Sequence, residues 1–166
     1  MEDIRITSNI DLKTYFNINL LIAYNTRSLI FIAIVFVFIQ TLLIISPSFD
    51  WITEVMFIIL FLVFYGGIKP LILYFACKRN MKKSAYLHET LHYTISEDKI
   101  ECKAESVSTS VTWQYAQKLI EREKYFLLMI SARTFHYLPK EGFAMLADIA
   151  TLKKLAADKG IKLSYH

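Results

Sequence analysis

LIFIAIVFVFIQTLLIIS, residues 29–46, is the stretch on which the fold class turns. It is 18 residues long and carries no charge, with Gln40 its only strongly polar side chain. At about 1.5 Å per residue a helix of this length spans roughly 27 Å, close to the hydrocarbon thickness of a bilayer. Val, Ile and Phe favour strands, but a lone strand in lipid leaves its backbone groups unpaired, whereas a helix pairs them internally. The reading is therefore a transmembrane helix. Immediately after it, Pro47 and Ser48 break the helix in a tight turn, SPSFDW, with Phe49 and Trp51 at interface height. Residues 51–76 form a second span with an uncharged centre, VMFIILFLVFYGGI. Glu54 sits one turn in from Trp51 and reaches the headgroups. Lys69, about 27 Å from Trp51 along the axis, snorkels to the opposite interface. Gly66, Gly67 and Pro70 are expected to bend the helix near that end.

The whole-chain numbers agree with an anchor. Over 166 residues the mean hydropathy is +0.37 and 55% of residues are hydrophobic, above the ~45–50% of soluble domains. The excess lies between Ser28 and Cys77. Lys and Arg set the orientation: the turn has none, Arg27 precedes the first span, and Lys78, Arg79, Lys82 and Lys83 follow the second. Both termini are thus expected in the cytoplasm, with the hairpin in the inner membrane. The opening segment MEDIRITSNIDLKTYFN lacks the basic n-region of a signal peptide, so the anchor is expected to be internal and uncleaved. Cys77 and Cys102 form no CxxC pattern and read as two reduced thiols.

Outside the hairpin the organisation falls into three further segments. Residues 1–27 offer a short alternating strand, Ile4-Arg5-Ile6-Thr7, then an amphipathic helix from near Leu12, capped by Asn9 or Asp11. Whether that strand joins a later sheet stays open at this level. Residues 28–77 are the hairpin, and residues 78–88 a basic linker. From Glu89 to the end the hydrophobic period becomes two. ETLHYTIS and KIECKAES form a strand pair across the turn SEDK, with Ile100, Cys102 and Ala104 inward and Lys99, Glu101, Lys103 and Glu105 outward. SVSTSVTW is a third strand, Trp113-Gln114-Tyr115-Ala116 a short helical turn, and KLIERE, KYFLLMIS and RTFHYLPK are further strands. EGFAMLADIATLKKLAADKG closes the domain as a helix with Gly160 as its C-cap. The expected fold is a two-helix transmembrane hairpin plus a cytoplasmic α+β domain, an antiparallel sheet with a C-terminal helix.

Several of these residues fall in a familiar order. Two spans and a basic stretch precede a strand pair. Ser110-Val111-Thr112-Trp113, Leu119-Ile120-Glu121, Tyr125-Phe126-Leu127-Leu128 and Leu138-Pro139-Lys140 then follow, with Phe143 soon after. In this the chain, from about Ile4 to Leu155, resembles the YcxB-like family of bacterial membrane proteins. The resemblance implies a double-span anchor and a compact domain of pleckstrin-homology type. It implies no defined activity and supplies no catalytic residues.

Read residue by residue, enzyme chemistry finds little support. Glycine occurs only at 66, 67, 142 and 160, too dispersed for a phosphate-cradling loop, and no nucleophile elbow is present. The histidines are His88, His92, His136 and His166. His88 and His92 lie four apart in a strand-like pattern, where that spacing is about 13 Å, and neither has an evident acidic or cysteine partner. No enzyme activity, metal or cofactor is expected. From Lys78 onward 15 basic residues face 10 acidic ones, a balance of +5; this suits a negative membrane surface but is too dispersed for nucleic acid. The expected membrane-surface contacts are Lys78, Arg79, Lys82, Lys83 and Lys140, the last at a strand-to-helix junction where an anion could bind. Trp113 reads as a core or junction residue. Gln40, Glu54, Gly66 and Gly67 are the candidates for an intramembrane partner contact, the glycines as a packing notch for a second copy. The leading expectation is a non-enzymatic interaction module for protein or lipid. The alternatives are an immunity protein against a membrane-targeting toxin and an accessory subunit of a transporter or channel complex. Expected partners are membrane lipids, a protein such as a toxin or membrane complex, or further copies of the chain.

Overall fold

The computed structural model describes residues 3–46 and 50–165. The expected helix-breaking Pro47 and Ser48, the interfacial Phe49 and His166 lie outside the described residues. The chain forms two compact units, Leu12–Asn80 and the combination of Met1–Asp11 with Met81–His166.

The first unit is helical. It begins with α1 (Leu12–Ala23) and α2 (Thr26–Ile45), separated where the Asn25 side chain accepts the Ser28 amide at 2.9 Å and so caps α2. Next comes α3 (Trp51–Val63), capped by Asp50, whose carboxylate accepts the amides of Ile52 and Thr53 and the Thr53 hydroxyl at 2.7 Å. A π-helical turn (Phe64–Ile68) then leads without a break into α4 (Lys69–Lys83). Among the described residues two helices are long and apolar enough to cross a membrane, Thr26–Ile45 and the continuous Trp51–Lys83, each containing an 18-residue stretch of high mean hydropathy, 2.9 and 2.2. No residue of α2 or α3 is buried. Aromatic pairs pack the two arms antiparallel: Phe36 lies 4.1 Å from Phe61 and Phe16 lies 5.6 Å from Tyr74, ring centre to ring centre.

Two expectations change here. The first apolar helix begins at Thr26, before the residue 29 expected for the span, because Asn25 supplies a cap. The second helix runs beyond residue 76 to Lys83, so the basic cluster is on a helix and not in a linker; lysines in its last turn complement the helix dipole. At Gly66, Gly67 and Pro70, where a bend was expected, the continuous helix carries a π turn.

The second unit holds two four-stranded sheets. The first has the order β1 (Ile4–Ser8), β2 (Leu91–Ile95), β3 (Lys99–Lys103), β4 (Ser108–Thr112), all antiparallel. The N-terminal strand therefore does join the later sheet, with Ile6 opposite Tyr93. Its burial alternates, Ile4, Ile6 and Ser8 inward, as a two-residue period demands. The second sheet contains β5 (Lys118–Glu121), β6 (Tyr125–Met129), β7 (Phe135–Pro139) and β8 (Lys162–Tyr165), in the order β7-β6-β5-β8. Here β8 runs parallel to β5, reached through α5 (Ala147–Asp158), so the expected purely antiparallel sheet is corrected. Leu119, Phe126, Leu128, Leu138 and Leu152 are completely buried with Ile95 and Ile100 in one core.

The closing helix is shorter than expected. Residues 140–142 make a 3-10 turn, and Phe143 then bridges to Ile6 while the Ala144 amide donates to Arg5 at 3.0 Å. That segment covers the outer edge of β1 instead of starting a helix. Gly142 is what lets it approach: a Cβ there would lie 1.9 Å from the Thr7 carbonyl oxygen. At the far end Gly160, at φ +72°, gives its amide to Ala157, and Ile161 gives its own to Ala156. This is the paired closure expected of a left-handed C-terminal cap.

Candidate functional site

The long helix changes character along one face. Leu71, Ile72 and Phe75 are exposed. Lys78, Arg79, Lys82 and Lys83, also exposed, continue the same face at helical spacing. Cys77 and Met81, on the opposite face, are buried. The face thus passes from apolar to fully basic within one turn.

Within the helical pair, Gln40 and Glu54 meet. The Gln40 side-chain amide lies against the Glu54 carboxylate, its nitrogen donating to the carboxylate oxygens. Glu54 was expected to reach for headgroups; it instead faces the other arm, where a carboxylate between two apolar helices finds its nearest donor. Gly66 and Gly67 have no heavy atom within 4 Å of where a Cβ would stand, so neither glycine is needed for packing between the described helices.

A further cluster surrounds the π turn and was missed at the sequence level. The Lys69 amide donates to Phe64 in the five-residue pattern. The same pattern would pair the Tyr65 carbonyl with residue 70, which is a proline and has no N–H. The Tyr24 hydroxyl fills that vacancy, donating to the Tyr65 carbonyl oxygen. The Lys69 ammonium lies 4.4 Å from the Tyr24 ring centre and 4.9 Å from that of Tyr65. A cation between two aromatic faces is held by their quadrupoles. A proline five residues after a tyrosine was the available signal, but a π turn cannot be anticipated from it.

In the sheet unit Lys140 is engaged rather than free. Its ammonium is 2.8 Å from Glu121 and 5.0 Å from the Phe126 ring centre, and Lys153 of α5 reaches the other Glu121 oxygen at 2.7 Å. Burial pushes the Glu121 carboxyl up, but the hydrogen bonds from Lys140 and Lys153 outweigh it and hold the group below its usual range. Lys140 therefore links the turn after β7 to β5, and through Glu121 to Lys153 of α5.

Tyr93 and His136 meet between the two sheets, with His136 Nδ1 3.3 Å from the tyrosine hydroxyl. Burial raises Tyr93 and lowers His136, so both are neutral near pH 7. Burial also pushes the Cys102 thiol up, which keeps it protonated and unreactive. His88 Nε2 is 2.8 Å from the Met81 carbonyl and so donates. His88, His92, Glu89 and Glu105 line an open groove of about 550 Å³. Among the described residues no group of three His, Cys, Asp or Glu side chains could hold a metal.

Many of the residues that carried the sequence resemblance are core residues, whereas Ser110 and Thr112 are exposed on β4. Trp113 is buried and its indole donates to the Ser96 carbonyl at 2.9 Å, tying the turn after β4 to the β2–β3 turn. Leu119, Phe126, Leu127, Leu128 and Leu138 are fully buried, and Phe143 closes the edge of β1. Residues 95–156 match the YcxB-like protein family. The YcxB-like segment begins at the last residue of β2 and ends within α5. It includes Trp113, Glu121, His136 and Lys140, and excludes β1, both apolar helices, the basic face of α4 and β8. No curated protein and no solved structure matches the chain.

Proposed function

We propose that this chain is a non-enzymatic inner-membrane protein, anchored by a two-span hairpin, whose cytoplasmic unit is an interaction module of pleckstrin-homology type held against anionic lipid by the basic face of α4. The observation that carries the reading is the change on that face from Leu71, Ile72 and Phe75 to Lys78, Arg79, Lys82 and Lys83, all exposed. Large side chains from Leu29 to Phe75 stand exposed on both arms, which is costly in water and neutral in lipid. Along a helix at 1.5 Å per residue, Lys78 lies about 40 Å from Trp51. That distance agrees with a bilayer of about 40–45 Å including headgroups, so the first basic residue falls at headgroup level. Each basic side chain there contributes about 1 kcal/mol toward anionic lipid. Two sheets with a helix after the seventh strand are the basis for the pleckstrin-homology comparison, and β8 is an addition beyond that helix. Positive charge at both ends of the hairpin, and none among the residues of its turn, supports a cytoplasmic location for both termini.

The test uses the full chain. It should stay with membranes during alkaline carbonate extraction. Reconstituted in nanodiscs, Lys78, Lys82 and Lys83 should lose reactivity toward an amine-modifying reagent when anionic lipid is added, and regain it in high salt. Release by carbonate would sink the anchor; a modification pattern indifferent to lipid charge would sink the headgroup contact while leaving the anchor standing.

A further inference from the structure

Among the described residues, three of the four sheet edges carry a feature that hinders further pairing. The outer edge of β1 is covered by Phe143 and Ala144. The Tyr137 carbonyl of β7 accepts the Ser8 hydroxyl at 2.8 Å, and β7 ends in Pro139, which cannot donate to a ladder. The edge strand β8 begins with Lys162, a charge of the kind that discourages pairing. By contrast β4 pairs, among the described residues, only with β3, and its sequence Ser108-Thr109-Ser110-Val111-Thr112 holds no charge, proline or glycine. Four of the five residues are exposed and Val111 is half-buried.

The register shows which backbone groups are free. The Ala104 amide donates to Val107 at 2.8 Å, so that pair is hydrogen-bonded. Bonded and non-bonded pairs alternate along an antiparallel ladder. Hence Thr109 opposite Cys102 and Val111 opposite Ile100 bond to β3, while the amides and carbonyls of Ser108, Ser110 and Thr112 face away. These three positions are symmetric about Ser110. A second copy of β4, antiparallel and related by a two-fold axis through Ser110, sets Ser110 against Ser110 and Ser108 against Thr112. Every outward amide and carbonyl then has a partner. Thr109 comes to face Val111 of the second copy, a β-branched pair suited to a strand surface. The neighbouring strand does not oppose this approach, because Glu101 takes Lys99 at 2.6 Å and Lys103 at 3.3 Å and leaves β3 nearly neutral.

We infer that β4 is the dimer-forming edge of this protein, its occupant being β4 of a second identical chain, so that two four-stranded sheets join into one. The inference stands whether or not the helices cross a membrane, and its test is separate from carbonate extraction. The full chain in mild detergent should have the mass of two chains by light scattering. Ser110→Cys adds an exposed thiol to a protein whose own two cysteines are buried. Facing residues in a bonded antiparallel pair are about 5.5 Å apart at Cα, within disulfide range. Mild oxidation should therefore link Ser110→Cys into a covalent dimer and leave Thr90→Cys unlinked. Ser110→Lys, which opposes two ammonium groups across the axis, should reduce the mass to one chain while the far-ultraviolet circular dichroism stays that of the folded protein and the unfolding midpoint falls to a concentration-independent value. A single-chain mass for the unaltered protein, a dimer that survives Ser110→Lys, or stoichiometric capture of a different polypeptide that Ser110→Lys abolishes would each overturn the inference. Should Ser110→Lys not fold, the cysteine linkage decides alone.

Discussion

Replacing Gly142 by alanine should damage the sheet unit far more than one methyl group ordinarily does. Gly142 has no left-handed backbone conformation, so alanine costs nothing in dihedral strain, and by restricting the unfolded chain it would even stabilise by about 0.4–1 kcal/mol. The damage comes from contact. The added Cβ would lie 1.9 Å from the Thr7 carbonyl oxygen and 3.2 Å from Pro139 Cγ. The first neighbour is backbone inside β1 and cannot rotate away. Relief requires β1 and the 142–144 segment to part by more than an ångström. That breaks the Ala144 to Arg5 hydrogen bond, worth about 1 kcal/mol. It also lifts Phe143 from the edge of the core, where forced repacking costs about 1–3 kcal/mol. The net expectation is a loss of about 2–3 kcal/mol, or about 8–24 °C in midpoint for a unit of this size. The assay is thermal unfolding of the full chain in detergent, followed by Trp113 fluorescence in a Trp51→Phe background, so that the buried tryptophan reports on the sheet unit. A midpoint within 2 °C of the parent, or above it, would refute the reasoning about close approach (~1 kcal/mol is about 4–8 °C).

Other residues yield sharper, narrower tests. Glu121→Gln should cost about 1–3 kcal/mol, since it takes the charged acceptor from both Lys140 and Lys153. Because the folded-state pKa of Glu121 is held below the ordinary 4.5, its contribution is complete above that pH and declines as pH falls through the folded value; the variant should flatten that part of an acid-unfolding curve, and an unchanged curve would show the pair to be decorative. His136 is kept neutral by burial, its pKa below 6.5. The unfolded chain then binds more protons below pH 6.5, so stability should fall as pH drops from 6.5 toward the folded value, and His136→Gln should remove this slope between pH 6.5 and 5 in urea titrations. Tyr24→Phe should speed amide hydrogen exchange across the π turn, residues 64–70, by about tenfold, the equivalent of about 1.4 kcal/mol. In a Pro70→Ala background, where residue 70 can again donate, the same change should have less effect; equal effects in both would contradict the proposed exchange of a hydroxyl for a missing amide.

The apolar helices and most of the strands were legible because they follow from periodicity, which one chain carries in full. An uncharged run such as residues 29–46 admits few solutions, and alternation in residues 91–103 names the inward face directly. What could not be read were features that depend on segments distant in sequence. The strand β8 is four residues, Lys162–Tyr165, with no strong alternation, and it exists because β5 offers a parallel partner. The helix expected from Glu141 starts only at Ala147, because Phe143 and Ala144 are worth more closing the edge of β1 than extending α5. The π turn depends on Tyr24, some forty residues away in sequence, as the donor that replaces Pro70. The charged positions divide in the same manner: a run such as Lys78 to Lys83 is visible locally, whereas the engagement of Lys140 by Glu121 belongs to a turn of chain that only the folded sheet creates.

The basic face of α4 lies outside the family match and the free edge of β4 lies inside it, yet neither is made of the packing residues that dominate the match. The buried positions among those that carry the resemblance, Trp113, Leu119, Phe126, Leu128, Leu138 and Phe143, are packing positions, where the core demands size and apolarity. Such residues identify a scaffold without specifying its use. The groups able to act outward are of another kind. The basic face of α4 lies before the matched segment, and β4, though inside it, contributes through backbone amides and carbonyls more than through its side chains. A surface made of backbone groups is nearly silent in sequence, since many uncharged strands would present the same outward donors and acceptors. The discriminating feature is instead the absence of lysine, proline or a covering segment on β4, where the other edges each carry one or more of these devices. A chain that blocks three edges and leaves the fourth clear has a surface built to pair. That contrast between edges is the ground on which the dimer inference rests.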